Sequence, residues 1–146
     1  MDSSARPFRV LGLQQVAVGH LERGPLELLW QDLLGLRPIS RFESAAENVD
    51  EVSLRLGDGD VQLDLMVPLD PDAKPRVHTP ALHHLGLWVD DLDQAFTWLK
   101  QRGVHFAGGI RQGAHGHRVC FIHPKPAPDA PVSGNGVLIE LIEAPR

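Results

Sequence analysis

The sequence predicts an α+β fold built from two copies of one module, each running strand, helix, three strands. Three observations carry this. A proline-rich charged stretch, Asp70-Pro71-Asp72-Ala73-Lys74-Pro75, divides the chain near its middle. Apolar residues at helical spacing occur once on each side of it, flanked by short apolar runs of strand character. A segment of the first half, Gln15 to Glu22, aligns with His84 to Asp93 of the second when a two-residue gap is allowed; without the gap Leu13 stands opposite His84.

In the first half, Val10 to Val18 reads as a strand. Gly24-Pro25 opens a helix, with proline where its missing N–H costs nothing. Leu26, Leu29, Trp30, Leu33 and Leu34 then form a stripe expected to be buried, and Gly35 ends it. Leu36 to Phe42, Val49 to Leu56 and Val61 to Val67 read as strands, the last two joined at the turn Gly57-Asp58-Gly59-Asp60. In the second half His84 to Val89 is a strand. Asp91 to Gly103 is a helix with Leu92, Phe96 and Leu99 on one face, Asp91 as its N-cap and Gly103 just past its last turn. Val104 to Phe106, Val119 to Ile122 and Val137 to Ile142 complete the module, and Pro124 to Gly134, with four prolines, reads as a loop. The domain is expected over 9–144, as modules 9–68 and 79–144 with a linker at 69–78.

The composition narrows the function classes. A chain of 146 residues, 42% hydrophobic and 23% charged, is the size and make-up of one globular domain. A net charge of -5, without a run of Lys or Arg, argues against a nucleic-acid surface. The single cysteine, Cys120, sits in an apolar strand and reads as core, and a reducing cytoplasm is the expected compartment. Met1 to Pro7 lacks an apolar stretch of the export type, and nowhere do 18 apolar residues run together, so neither export nor a membrane span is expected.

The chemistry concentrates in the second half. His84 opens an apolar strand, and Glu140 lies within another, Gly136-Val137-Leu138-Ile139-Glu140-Leu141. Imidazoles and carboxylates are costly to bury unpaired, and a divalent ion is the simplest partner for both. Asp64 shares an alternating strand face with Gln62 and Met66 and is able to point inward. His83 points away from His84. His115 and His117 lie in a glycine-rich loop, the first beside a substrate and the second in solvent. His123 closes a turn before Pro124, and Trp88, on the face of His84, lines a pocket.

Leu82-His83-His84, Gly113-Ala114-His115-Gly116, Phe121-Ile122-His123-Pro124-Lys125 and Gly136-Val137-Leu138-Ile139-Glu140-Leu141, in this order, resemble the vicinal oxygen chelate superfamily (glyoxalase, bleomycin resistance, dioxygenase) and within it methylmalonyl-CoA epimerase. The resemblance spans Leu11 to Ala144, with Leu29-Trp30-Gln31-Asp32-Leu33-Leu34-Gly35-Leu36 matching the superfamily's helix end. It implies paired βαβββ modules forming a curved mixed sheet around a central cavity, and a homodimer. It also implies one divalent ion (Co, Ni, Mn or Zn) held by Gln15 and Asp64 of the first module and His84 and Glu140 of the second.

The implied activity is removal of a proton α to a carbonyl, epimerase-like, on a CoA thioester or similar small molecule. Glu140 and Glu47 are the expected proton carriers; His115 and Trp88 are the expected substrate contacts. Two positions depart from the epimerase pattern. Gln15 and Asp64 stand where epimerases carry His and Gln or Glu, a set closer to that of some glyoxalase I enzymes. Ala46 stands where the epimerase has a catalytic glutamate, with Glu47 beside it. A glyoxalase I-type lactoylglutathione lyase (its substrate a glutathione adduct) and a non-catalytic binding protein of the resistance type are the alternatives. Gln15 breaks the His/His/Glu site of a ring-cleaving dioxygenase.

Overall fold

The structure, a computed structural model, describes residues 5–146. Its internal contacts divide the chain into two units: Gln14–His84, and Leu85–Arg146 together with the described residues before Gln14. The fold class is the expected one, two strand–helix–three-strand modules. The first is β1 (Val10–Gly19), α1 (Arg23–Glu27) continued by a π-helical turn (Leu28–Leu33), β2 (Arg37–Ser44), β3 (Val49–Arg55) and β4 (Gln62–Pro68). The second is β5 (Leu82–Val89), α2 (Leu92–Gln101), β6 (Arg111–Gln112), β7 (Arg118–Ile122) and β8 (Leu138–Glu143).

In the first unit the strand order is β2-β3-β4-β1, with β1 and β4 parallel and the other neighbours antiparallel. One face of these strands is apolar: Val52, Leu54, Leu63 and Leu65 are buried together, with Val16, Val18, Leu26 and Trp30 packed on them. Ala17, Val49 and Met66 lie on the other face and pack with Val77 from the segment after β4. That segment is pinned by Asn48, whose side-chain amide donates to the carbonyls of Asp70, Ala73 and Pro75 at 2.9, 3.2 and 3.1 Å. Gly19 is required where the same segment crosses β1, because a Cβ there would collide with the carbonyl of Val77.

The first helix departs from the expected stripe. Leu26 and Trp30 pack inward, but Leu29, Leu33 and Leu34 are 45%, 70% and 55% exposed. The π turn is the cause: the amide of Leu34 reaches back five residues to the carbonyl of Leu29 at 2.9 Å. A wider turn rotates every later side chain off the 3.6-residue spacing on which the stripe rests.

In the second unit the order is β5-β8-β7-β6. The helix is as expected: the Asp91 side chain accepts from the Gln94 amide at 3.1 Å, and Leu92 and Ala95 are buried against Val89, Cys120 and Leu141. Val104 to Phe106 is a correction. It makes only single bridges, Val104 with Val132 and Phe106 with Ile122 of β7, and the ladder along the rest of that edge of β7 is the two-residue β6. The glycines at 108 and 109 end the apolar run before it builds a ladder. Among the described residues no helix is long and apolar enough to cross a membrane.

Candidate functional site

The register of the first unit decides which side chains share a face. Gln15 stands opposite Gln62 and Ala17 opposite Asp64; across β4, Ser53 stands opposite Asp64 and Glu51 opposite Met66. Opposed residues point the same way and neighbours along a strand point apart. Gln15, Asp64, Ser53 and Glu51 therefore lie on the face turned away from α1. All four are buried, with exposures of 5%, 1%, 1% and 6%. Leu13, the rival of Gln15 in the internal alignment, is 39% exposed.

His84 joins this group. Its Nε2 lies 2.7 Å from Nε2 of Gln15, and its Nδ1 lies 2.9 Å from Nδ1 of His83. Burial, with a smaller contribution from the charge of His83, pushes the pKa of His84 down to about 3, so the ring is neutral near pH 7. Burial lowers His83 as well. A neutral imidazole with one lone pair turned toward an amide is the protonation state a divalent ion binds. Ser53 Oγ donates to Asp64 Oδ1 at 2.7 Å and so holds that carboxylate in place. An oxygen of Glu51 lies within 4.8 Å of an oxygen of Asp64.

In the second unit Glu140 stands opposite Phe121, while Cys120 stands opposite Leu141. Cys120 and Leu141 belong to the cluster under α2, so Glu140 points to the face away from that helix, where it is 9% exposed. Burial, together with the nearby charge of Glu140, pushes the Cys120 thiol up to about 12, which makes it the inert core residue expected. Trp88 is half-buried and meets His117 edge to face at 5.1 Å, so His117 is a packing residue rather than a solvated one. His115 is exposed in the turn between β6 and β7. His123 closes its turn as expected, accepting from the Lys125 amide at 2.9 Å.

Glu47 lies exposed in the turn between β2 and β3. Glu51 and Ser53 are the functional candidates that sequence reasoning missed. Alternation puts both on the polar side of a strand whose other side is Val52 and Leu54, a pattern that ordinarily means solvent. The available signal was the neighbouring run Leu63 to Val67: a strand that apolar is buried on both faces, and so is the strand paired with it.

The family model of the Glyoxalase/Bleomycin resistance protein/Dioxygenase superfamily matches residues 14–121. The chain belongs to this superfamily. Relatives similar to this chain include the mitochondrial methylmalonyl-CoA epimerase of Homo sapiens, 27% identical over 135 residues, covering 88% of this chain and 70% of the relative. The crystal structure of methylmalonyl-CoA epimerase from Mycobacterium tuberculosis superposes with a TM-score of 0.77 at 28% identity, covering 93% of this chain and 90% of that one. A Streptomyces coelicolor methylmalonyl-CoA epimerase variant in complex with 2-nitronate-propionyl-CoA, 20% identical, shares the fold with a TM-score of 0.77 over 94% of this chain and 100% of that one.

Superfamily membership bears on the donor set. A neutral imidazole, an amide and a carboxylate, all buried in the first unit with no lysine or arginine among the described buried residues, fit a divalent cation of intermediate softness.

Proposed function

We propose that this protein is a metal-dependent enzyme that removes a proton α to the carbonyl of a CoA thioester, in the manner of a methylmalonyl-CoA epimerase. The observation that carries the reading is the set of buried polar groups in the first unit. Gln15 and Asp64 are buried on strands whose opposite side is an ordinary apolar core, and neutral His84 meets Gln15 at 2.7 Å. Its support in kinship is the similarity to methylmalonyl-CoA epimerases over most of the chain.

In this proposal Gln15, Asp64, His84 and Glu140 hold the ion, which when bound polarises the thioester carbonyl and stabilises the enolate. The protein's own groups do the rest. Ser53 fixes Asp64 through its hydrogen bond, and His83 holds the ring of His84 by the Nδ1 contact. The carboxylate of Glu140 carries a proton in the second module, and Trp88 and His115 contact the substrate. The enzyme works as a cytoplasmic homodimer.

The test is α-proton exchange of methylmalonyl-CoA in D2O, read by mass spectrometry on cobalt-loaded protein. Exchange that disappears on chelation and in His84→Ala supports the proposal. Exchange that survives both overturns the metal-dependent mechanism. If only the hemithioacetal of methylglyoxal and glutathione turns over, the enzyme is a glyoxalase I-type lyase. Tight binding of either compound without turnover marks a binding protein.

A further inference from the structure

We infer that Val77 sets the size of the substituent this enzyme accepts on the substrate's α-carbon, as a wall of the site that Asn48 latches in place. The inference rests on the epimerase-like reading above and goes beyond it by naming a residue that selects among substrates. Three observations converge on it.

First, Val77 lies against the polar face. It is 4% exposed and packs with Ala17, Val49 and Met66, with Phe42 beside them. The register makes each of these a neighbour of a buried carboxylate. Ala17 stands opposite Asp64, Met66 and Phe42 stand opposite Glu51, and Val49 is two residues from Glu51 on the same strand face. Opposed side chains have Cβ atoms about 4.5–5.5 Å apart. A substrate carbon held beside Asp64 therefore meets this apolar group first, and a methyl substituent on it needs such surroundings.

Second, the wall is anchored on both sides of Val77. Before it, Asn48 Nδ2 donates to the carbonyls of Asp70, Ala73 and Pro75, and Asn48 Oδ1 accepts from the Asp70 amide at 2.9 Å. Asn48 is 5% exposed and takes a φ of 51°, a left-handed geometry that asparagine tolerates. At Val77 the backbone runs against Gly19, where a Cβ has no room, and the Gly19 amide donates to the Ala81 carbonyl at 2.8 Å. A side chain held between two anchors yields little when a substrate presses on it.

Third, Val77 has nowhere to retreat. Ala17, Val49 and Met66, against which it packs, are 0%, 5% and 5% exposed. Valine is also β-branched and stiff about its first torsion. Against such a wall an extra methylene on the substrate is overpacked, and a methyl removed from the wall makes room for it.

The experiment uses full-length cobalt-loaded wild type, Val77→Ala, Val77→Ile and Asn48→Gly. Exchange of the α-proton in D2O is measured on methylmalonyl-CoA and on its homologue with ethyl in place of methyl, beside cobalt content and Tm. The wild type is expected to favour the methyl substrate in kcat/KM by about 10-fold or more, the discrimination one methylene commands in a tight apolar pocket. Val77→Ala should lower that ratio by about 10-fold with cobalt retained. Val77→Ile should raise it, and keeps the series readable where Val77→Ala folds poorly. Asn48→Gly preserves the left-handed turn without the side chain. It should lower the ratio too, while trypsin cuts faster after exposed Arg76. A wild type without preference overturns the inference. So does a parallel fall on both substrates in the Val77 variants, because Val77 is then packing alone. Wild-type trypsin cleavage in Asn48→Gly overturns the latch. A wild type inert on both substrates removes the epimerase-like reading and this inference with it, a result distinct from an active wild type whose ratio does not move.

Discussion

The two modules share an element order and divide the work differently. The second has an orderly helix: ten residues, capped by Asp91, with Asp93 in its first turn and Lys100 in its last, and Leu92 and Ala95 buried beneath it. Both end charges oppose the helix dipole. The first module's helix has five regular residues and then a π turn, Glu22 gives it no side-chain cap, and none of its residues is buried. Its strands, by contrast, carry buried Gln15, Glu51, Ser53 and Asp64 on one side and the Leu54–Leu65 layer on the other. One module stabilises through helix packing, and the other holds polar chemistry on strands that are apolar behind. The contrast teaches that two copies of one module can be stabilised differently, one through its helix and the other through its strands.

Acid should weaken the unit that holds His84, Gln14–His84. In metal-free protein His84 is neutral in the fold, with its pKa lowered to about 3 from 6.5. A depressed histidine contributes no penalty above its unfolded pKa and an increasing one below it. Stability is therefore full above pH 6.5 and is lost as pH falls toward 3, by about 4 kcal/mol at the lower end. Urea midpoints measured against pH, wild type minus His84→Asn, should show this slope between pH 6.5 and 3; parallel curves would place the neutral-histidine account in error. Next in size, Leu92→Ala removes the largest buried side chain of the second helix and should cost about 2–5 kcal/mol in equilibrium unfolding.

The repeat, both helices and most strands were legible because alternation and helical spacing report which side of an element is apolar. His84 and Glu140 were legible as candidates for a related reason, since polar groups inside apolar strands stand out, whereas Gln15 and Asp64 were named as ligands through the family resemblance. Glu51 and Ser53 do not stand out, since they alternate with Val52 and Leu54 as solvent-facing residues do, and only pairing reveals that their side is buried as well. The π turn was illegible too. Leu26, Leu29, Trp30, Leu33 and Leu34 fit a regular helix well, and nothing in their spacing records that the hydrogen bond from Leu34 reaches Leu29.

The smaller effects separate the helices most cleanly. Asp91→Ala deletes the bond to the Gln94 amide and should cost about 1 kcal/mol, read as a fall in the urea midpoint. The matching change in the first module has no cap to remove, so its counterpart is a side-chain truncation. Leu33 is 70% exposed, and Leu33→Ala should alter stability by no more than about 0.5 kcal/mol, although leucine truncation in a regular amphipathic helix ordinarily costs several times that. A loss near 3 kcal/mol would mean that the π turn relaxes in solution to a regular helix with Leu33 inside. A near-zero change, beside a large one for Leu92→Ala, would establish that the first helix covers its strands through Leu26 and Trp30 alone. The first module's stability then rests on its strand layer, the same strands that carry its polar face.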